Sequence, residues 1–288
     1  VINPAVTTSL ETHIAINPSP NVTAANELFV FLAGTGALPV AYELILQAGA
    51  AKGFHAVGLN YPNPTPVGVI CQTTSTDPNC FWNVRREIIT GTDYSADVSI
   101  GPADAIVTRL DNLLGYLKQN FPDQGWGQYL LSNGTVDWSK VVIGGHSQGG
   151  GHAGVMTKLY SMHRACYFDS PADWEIKLAA PAAWESMQNV TAGSAQFGFT
   201  HVADPLVPYD QLSVIWPAMQ LGVIGTAVSV DSNSPPFADS HILTTSVASP
   251  GGNSGTPLHS TTIADIFTPL NPDGSPLFGP VWEYLCFR

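Results

Sequence analysis

Between Lys140 and Ser161 the chain passes from a short apolar run, Val141-Val142-Ile143-Gly144, through Gly145-His146-Ser147-Gln148-Gly149, into a segment opened by Gly150, Gly151, Ala153 and Gly154. The apolar run predicts a short buried strand, and the small residues after it predict a helix packed close against that strand and reaching about Ser161. So sharp a turn between strand and helix forces Ser147 into a strained backbone conformation that only small neighbours tolerate. It lifts the serine hydroxyl above the sheet. The first amides of the helix aim at the same spot, where developing negative charge is stabilised. With 27 glycines in 288 residues the Gly-x-Ser-x-Gly pattern is weak by itself, and its weight comes from the strand before it and the helix after it. The competing reading is a glycine-rich turn that only packs a helix against a strand.

The same alternation of strand and helix runs through the chain. Glu27–Leu32 and His55–Tyr61 read as buried strands, stopped by Gly34-Thr35-Gly36 and by Pro62-Asn63-Pro64. A helix is predicted from about Leu38 to Ala51, with Pro39 in its first turn. After Gly101-Pro102, Ile106, Leu110, Leu113, Leu114 and Leu117 recur at helical spacing, with Arg109, Asp111 and Lys118 on other faces. Ala165–Phe168 and Gln196–Val202 give two more strands. Ala227–Val230 and His241–Val247 read as a hairpin near one sheet edge, and Pro280 opens a last short helix. The charge-free stretch Gln211–Val230 is broken by Pro217, Gly222 and Gly225, so it reads as a buried helix, a turn and a strand, not as a membrane span. Nearly continuous apolar strands alternating with helices predict an α/β class: a mostly parallel central sheet with helices on both faces. No repeat or linker divides the chain, and residues 1–288 read as a single domain. Within it, 1–26 is an N-terminal extension or edge strand, 62–100 a long polar loop, and 170–195 a small cap-like connector.

Charge excludes several classes of partner. Ten Lys and Arg against 22 Asp and Glu give a net charge of −12, with no basic cluster. Nucleic acid and anionic membrane surfaces are therefore disfavoured partners. Cys71 and Cys80 flank a loop rich in Thr, Ser, Asp, Pro and Asn, which a short disulfide would restrain. Cys166 and Cys286, each in an apolar run, read equally as two buried thiols or as a bond. No cysteine pair has zinc-knuckle spacing, and no metal site is expected. Asn21, Asn133 and Asn189 each head an Asn-x-Thr triplet. Low charge, few lysines and a loop disulfide point to a secreted or periplasmic protein. The sequence opens on Val1 without a basic flank and apolar run, consistent with a mature form from which a signal peptide has been removed.

The pentapeptide and the element order over residues 27–287 resemble the α/β-hydrolase family, and Gly145-His146-Ser147-Gln148-Gly149 is similar to the turn of its secreted esterases and lipases. The resemblance implies a triad in the order Ser, Asp or Glu, His, with Ser147 as nucleophile. Its acid follows a strand beyond the serine. Asp204, in the run His201-Val202-Ala203-Asp204-Pro205-Leu206-Val207-Pro208, fits that place, with Asp169 and Asp173 as competitors. The base is a histidine beyond the acid, which leaves His259, after the flexible loop Pro250–Gly255, and His241, which opens a strand. The oxyanion donors implied are the amides of Gln148 and, from the loop after the first buried strand, Thr35 or else Gly36. The family often carries His-Gly before that donor, where this chain has Ala33.

Such a constellation implies a hydrolase that cleaves carboxylic esters through an acyl-enzyme, on a small-molecule or polymeric ester, without metal or organic cofactor. No dinucleotide fingerprint suggests an oxidoreductase. A peptidase or amidase would use the same triad, and a catalytically silent binding protein on this fold is a third reading. Trp174, Trp184 and Trp216 are expected near the acyl or leaving-group side, although core packing is the commoner reason for a tryptophan.

Overall fold

Leu28, Val30 and Leu32 face one side of a sheet, Phe29 and Phe31 the other, and each set is buried in its own apolar layer. The computed structural model describes residues 2–222 and 226–288. Its strands are β1 (Ile14–Ile16), β2 (Leu28–Leu32), β3 (His55–Leu59), β4 (Val141–His146), β5 (Arg164–Phe168), β6 (Trp174–Glu175), β7 (Ala180–Pro181), β8 (Gln196–His201), β9 (Val228–Ser229) and β10 (Ile242–Thr245). Eight of them form one sheet in the order β1-β3-β2-β4-β5-β8-β10-β9, while β6 and β7 make a separate two-stranded ribbon. Within the large sheet β1 pairs antiparallel with β3, and every other pairing is parallel.

The helices are α1 (Glu43–Ala51), α2 (Val67–Val69), α3 (Cys80–Thr90), α4 (Ile106–Asn120), α5 (Gln148–Leu159), α6 (Tyr209–Ala218), α7 (Gly255–His259) and α8 (Gly279–Cys286). One layer packs Phe81, Val84 and Ile88 of α3, Ile106, Leu110 and Leu114 of α4 and Val155 and Met156 of α5 on the sheet. The opposite layer packs Ile45 and Leu46 of α1 with Val281, Trp282 and Leu285 of α8. A mostly parallel sheet covered on both faces, entered by an antiparallel edge strand and carrying a serine turn after β4, is the α/β-hydrolase fold. No helix among the described residues is long and apolar enough to cross a membrane.

Three local expectations are corrected. The stretch 62–100 is not a bare loop, because it contains α2 and α3. Phe81, Val84 and Ile88 fall on one face of α3, and Gly91 ends it with φ 71°. Residues 91–100 are then gathered by buried Glu87, whose carboxylate accepts the amides of Tyr94, Ser95 and Ile100 at 2.9–3.0 Å. The pair β9 and β10 is no hairpin, since they run parallel. Between them a 3₁₀ turn, Phe237–Asp239, with three positive φ angles carries the chain back and plugs Phe237 into the core. Arg109 does not lie on an outer helix face. It is buried and binds Asp104, Thr8 O and Ser9 O, which clamps the N-terminal extension to α4. Of the stretch Gln211–Val230, Gly225 and its two predecessors lie outside the described residues, while the buried helix is α6.

Both cysteine pairs are disulfides. Cys71–Cys80 joins the turn after α2 to the start of α3, and Cys166–Cys286 joins central strand β5 to α8. Chain entropy scales with the loop closed, here 9 and 120 residues. Replacing both cysteines of the long bridge by alanine should therefore cost about 5 kcal/mol, against about 2.5 kcal/mol for the short one. Urea midpoints at constant slope measure the difference, and equal losses would contradict it.

Candidate active site

Ser147 sits between the last residue of β4 and the first of α5 with φ 51° and ψ −117°. That conformation costs on the order of 1–3 kcal/mol for a residue with a side chain. It persists because its flanks permit no bulk. A Cβ on Gly145 would lie 2.4 Å from the carbonyl carbon of Gly149, and one on Gly149 would lie 2.1 Å from the carbonyl oxygen of Leu32. The Ser147 amide donates to Phe168 O at 2.9 Å, extending the ladder towards β5. The Gln148 amide, at the open end of α5, donates to no group among the described residues.

His259 ends α7, and its Nδ1 lies 2.6 Å from Asp204 Oδ2. The other oxygen of Asp204 accepts the amides of Leu206 and Val207, which fixes the carboxylate beyond β8. Burial pulls the His259 imidazole down, but the hydrogen bond and charge of Asp204, and then the charge of Asp169, outweigh it and hold the ring above its ordinary value. Ser147 and His259 line one cavity of about 670 Å³. No hydrogen bond joins Ser147 Oγ to His259 Nε2 among the described residues; such contacts often tighten only with substrate in place.

The competing residues are hydrogen-bonded to other groups. His241 lies at the far end of the sheet, where its Nδ1 meets Gln196 O at 2.8 Å and its ring stacks on Phe197 at 4.0 Å. Asp173 pairs with Arg85 through Nε (2.6 Å) and Nη2 and accepts the Trp184 indole at 2.8 Å. Asp169 accepts hydroxyls from Thr200 and Thr262 and the His201 amide. In the loop after β2, Gly34 N donates to the Tyr42 hydroxyl and Gly36 N to Asn63 O. Among the described residues the Thr35 amide has no acceptor, and its hydroxyl meets Gln148 Oε1 at 3.2 Å.

Several residues that hold this arrangement were not singled out from sequence. Tyr61 donates to Ala33 O at 2.6 Å, and Asn63 Nδ2 donates to Gly34 O and Ala37 O, so the turn after β3 clamps the loop after β2. The Pro-Asn-Pro signal marked that turn but not its partner. His146 bridges Tyr42, at 2.9 Å from Nδ1, and the His259 carbonyl, at 3.2 Å from Nε2. Because the His259 carbonyl can only accept, Nε2 carries the ring proton, and Nδ1 accepts the Tyr42 hydroxyl, whose oxygen in turn accepts Gly34 N. Burial, and then the neighbouring His259, hold His146 well below its ordinary value and therefore neutral. Arg85 Nη1 donates to Gln148 O at 3.1 Å, pinning the first turn of α5 from the cavity floor. The tryptophans are corrected to structural positions: Trp184 and Trp216 are core residues, and neither they nor Trp174 line the cavity.

No family model matches the chain, and no curated protein does. Among solved structures it is similar to a thermophilic esterase from Thermogutta terrifontis, at 16% identity over 72% of this chain and 71% of that one, with a TM-score of 0.38. The apo form of esterase 2 from the same organism gives 14% identity, 72% and 73% coverage and a TM-score of 0.40. An α/β serine hydrolase without lid from Xanthomonas campestris gives 13%, 69% and 70%, and 0.34. Likenesses this remote assign no residue and no activity; the fold stands on strand order and register.

Tyr42→Phe would leave Gly34 N and His146 Nδ1 unpaired in a buried site. Each such group costs about 1–3 kcal/mol, so the variant should lose roughly 2–6 kcal/mol of stability in urea unfolding, and an unchanged midpoint would contradict the relay.

Proposed function

We propose that the chain is a serine hydrolase of carboxylic esters acting through Ser147, His259 and Asp204. The observation that carries this reading is the shared cavity: a serine in a strained turn at a helix N-terminus opens onto the same space as a histidine whose other ring nitrogen is held by a buried carboxylate. Ser147 attacks the acyl carbon as His259 Nε2 takes its proton. Asp204 keeps the proton of His259 on Nδ1 and stabilises the imidazolium. The amides of Gln148 and Thr35, which have no acceptor among the described residues, receive the oxyanion, aided by the N-terminus of α5. The imidazolium then protonates the leaving alcohol, and water repeats the sequence on the acyl-enzyme.

The walls favour an uncharged, apolar ester. Val67, Val69, Leu206, Val207, Ile266 and Phe267 line the cavity, and the cation on its floor, Arg85, is matched by Asp173. Val69, Leu206 and Ile266 are also exposed, so an apolar group longer than the cavity still finds apolar contact at its mouth. Two disulfides and few lysines fit an oxidising, extracytoplasmic setting.

Ser147→Ala should lower ester turnover by more than about a hundredfold with the fold intact, and it should abolish labelling by an organophosphonate. Retained turnover or labelling would sink the reading. The base must be neutral to accept a proton, so kcat/KM should fall on the acid side with a midpoint above the ordinary histidine value of 6.5, the direction in which Asp204 and Asp169 move His259. His259→Gln should remove that limb with nearly all activity, whereas His241→Gln should leave both. A pH–rate profile for each variant decides between them.

A further inference from the structure

Asp169 follows the last residue of β5 and is completely buried, with φ 48°. Aspartate is among the few residues that tolerate this left-handed backbone. The amide of Asp169 donates to Phe199 O at 2.9 Å, and its carboxylate then sits among three segments. Oδ1 accepts the Thr200 hydroxyl at 2.8 Å and the His201 amide at 3.0 Å, while Oδ2 accepts the Thr262 hydroxyl. Thr200 and His201 end the strand that delivers Asp204. Thr262 lies three residues beyond His259. One carboxylate thus ties the segment bearing the acid to the segment bearing the base, from the strand beside the serine turn.

Neutral groups could make these ties without burying a charge. We propose that Asp169 is a positioning residue for the proposed reaction: it fixes His259 against Asp204 and sets a second negative charge towards the imidazolium that forms when Ser147 gives up its proton. This inference rests on the triad reading.

The groups around the site define what a test must separate. His259 is faced by Asp204 beyond β8, by Asp169 beyond β5 and by the neutral His146 of β4, ring to ring at 4.7 Å, with Tyr42 behind it. Asp265, on the segment after His259, is occupied by the amides of Glu43 and Leu44 at the start of α1. His201, beside Asp169, is held below its ordinary value by burial. Burial and the charge of Asp204 raise Asp169 to about 7, whereas a charged His259 favours its ionised form. The second carboxylate is therefore most fully ionised when the imidazole is charged, the condition under which it stabilises the intermediate.

Asp169→Asn keeps the size of the side chain and removes the charge. It should lower kcat about tenfold with KM little changed, because a displaced or less stabilised base acts on the transition state. Loss of a negative charge favours the neutral imidazole, so the acid limb of the pH–rate profile should move to lower pH. Thr262→Val keeps the carboxyl group and cuts the tie, removing one of several donors that favour its ionised form. It should lower kcat severalfold while moving the acid limb less than Asp169→Asn does. A folded Asp169→Asn protein with an unmoved acid limb, or a Thr262→Val protein with unchanged kcat, overturns the proposal. If Asp169→Asn does not fold, Thr262→Val alone decides. Ser147→Ala, run alongside, separates the two levels, since turnover remaining there would overturn the triad reading itself.

Discussion

The structure depends on how closely α5 approaches the sheet. At Gly145 and Gly149 there is no room for a Cβ, because the first turn of the helix lies directly against the end of its own strand and against the carbonyls of Leu32 and Ala33. That contact forces Ser147 into its strained φ. It also sets the end of β2 beside the N-terminus of α5, so the loop carrying Thr35 meets Gln148, 113 residues away in sequence. The serine, the amide after it and the facing amide are therefore placed by one packing event. A side chain at either glycine would separate all three.

Charge is treated in the same economical way. Only 11% of the residues are charged, and several of the buried ones are matched at close range. Arg85 meets Asp173, Arg109 meets Asp104, and Glu87 gathers three amides. An unmatched buried charge would shift its protonation or destabilise the fold. Around His259 the balance is unequal: Asp204 is hydrogen-bonded to the imidazole, and the charge of Asp169 acts on it as well. In the proposed reaction, that negative charge would favour the ring while it is positive.

The strands were legible because each is a nearly continuous apolar run between glycine or proline stops, and β2, β3, β4, β5 and β8 lie where those runs predicted. Helix α3 was not. Its apolar face, Phe81, Val84 and Ile88, is interrupted by Trp82, Asn83, Arg85, Arg86 and Glu87, and two of those polar residues turn inward to bind. The β9–β10 pairing was misread because two short apolar runs close in sequence suggest a hairpin, whereas a compact 3₁₀ return hidden among Pro235, Pro236 and Phe237 makes them parallel. The Ser147 motif was visible as local sequence. Arg85, Asn63, Tyr42 and Asp169 act through side-chain hydrogen bonds to other segments of the chain, and such contacts leave no periodicity to read.

His146 occupies the variable second place of the pentapeptide, a position that local turn geometry leaves free. Here its ring nitrogens span from the Tyr42 hydroxyl, which also caps Gly34, to the carbonyl of His259. The pentapeptide is consequently not a portable cassette. A foreign turn grafted onto β4 would bring its own second residue and strand both Tyr42 and the His259 backbone without a partner. Positions 42, 146 and 259 form one unit of exchange, and engineering of this site has to move them together.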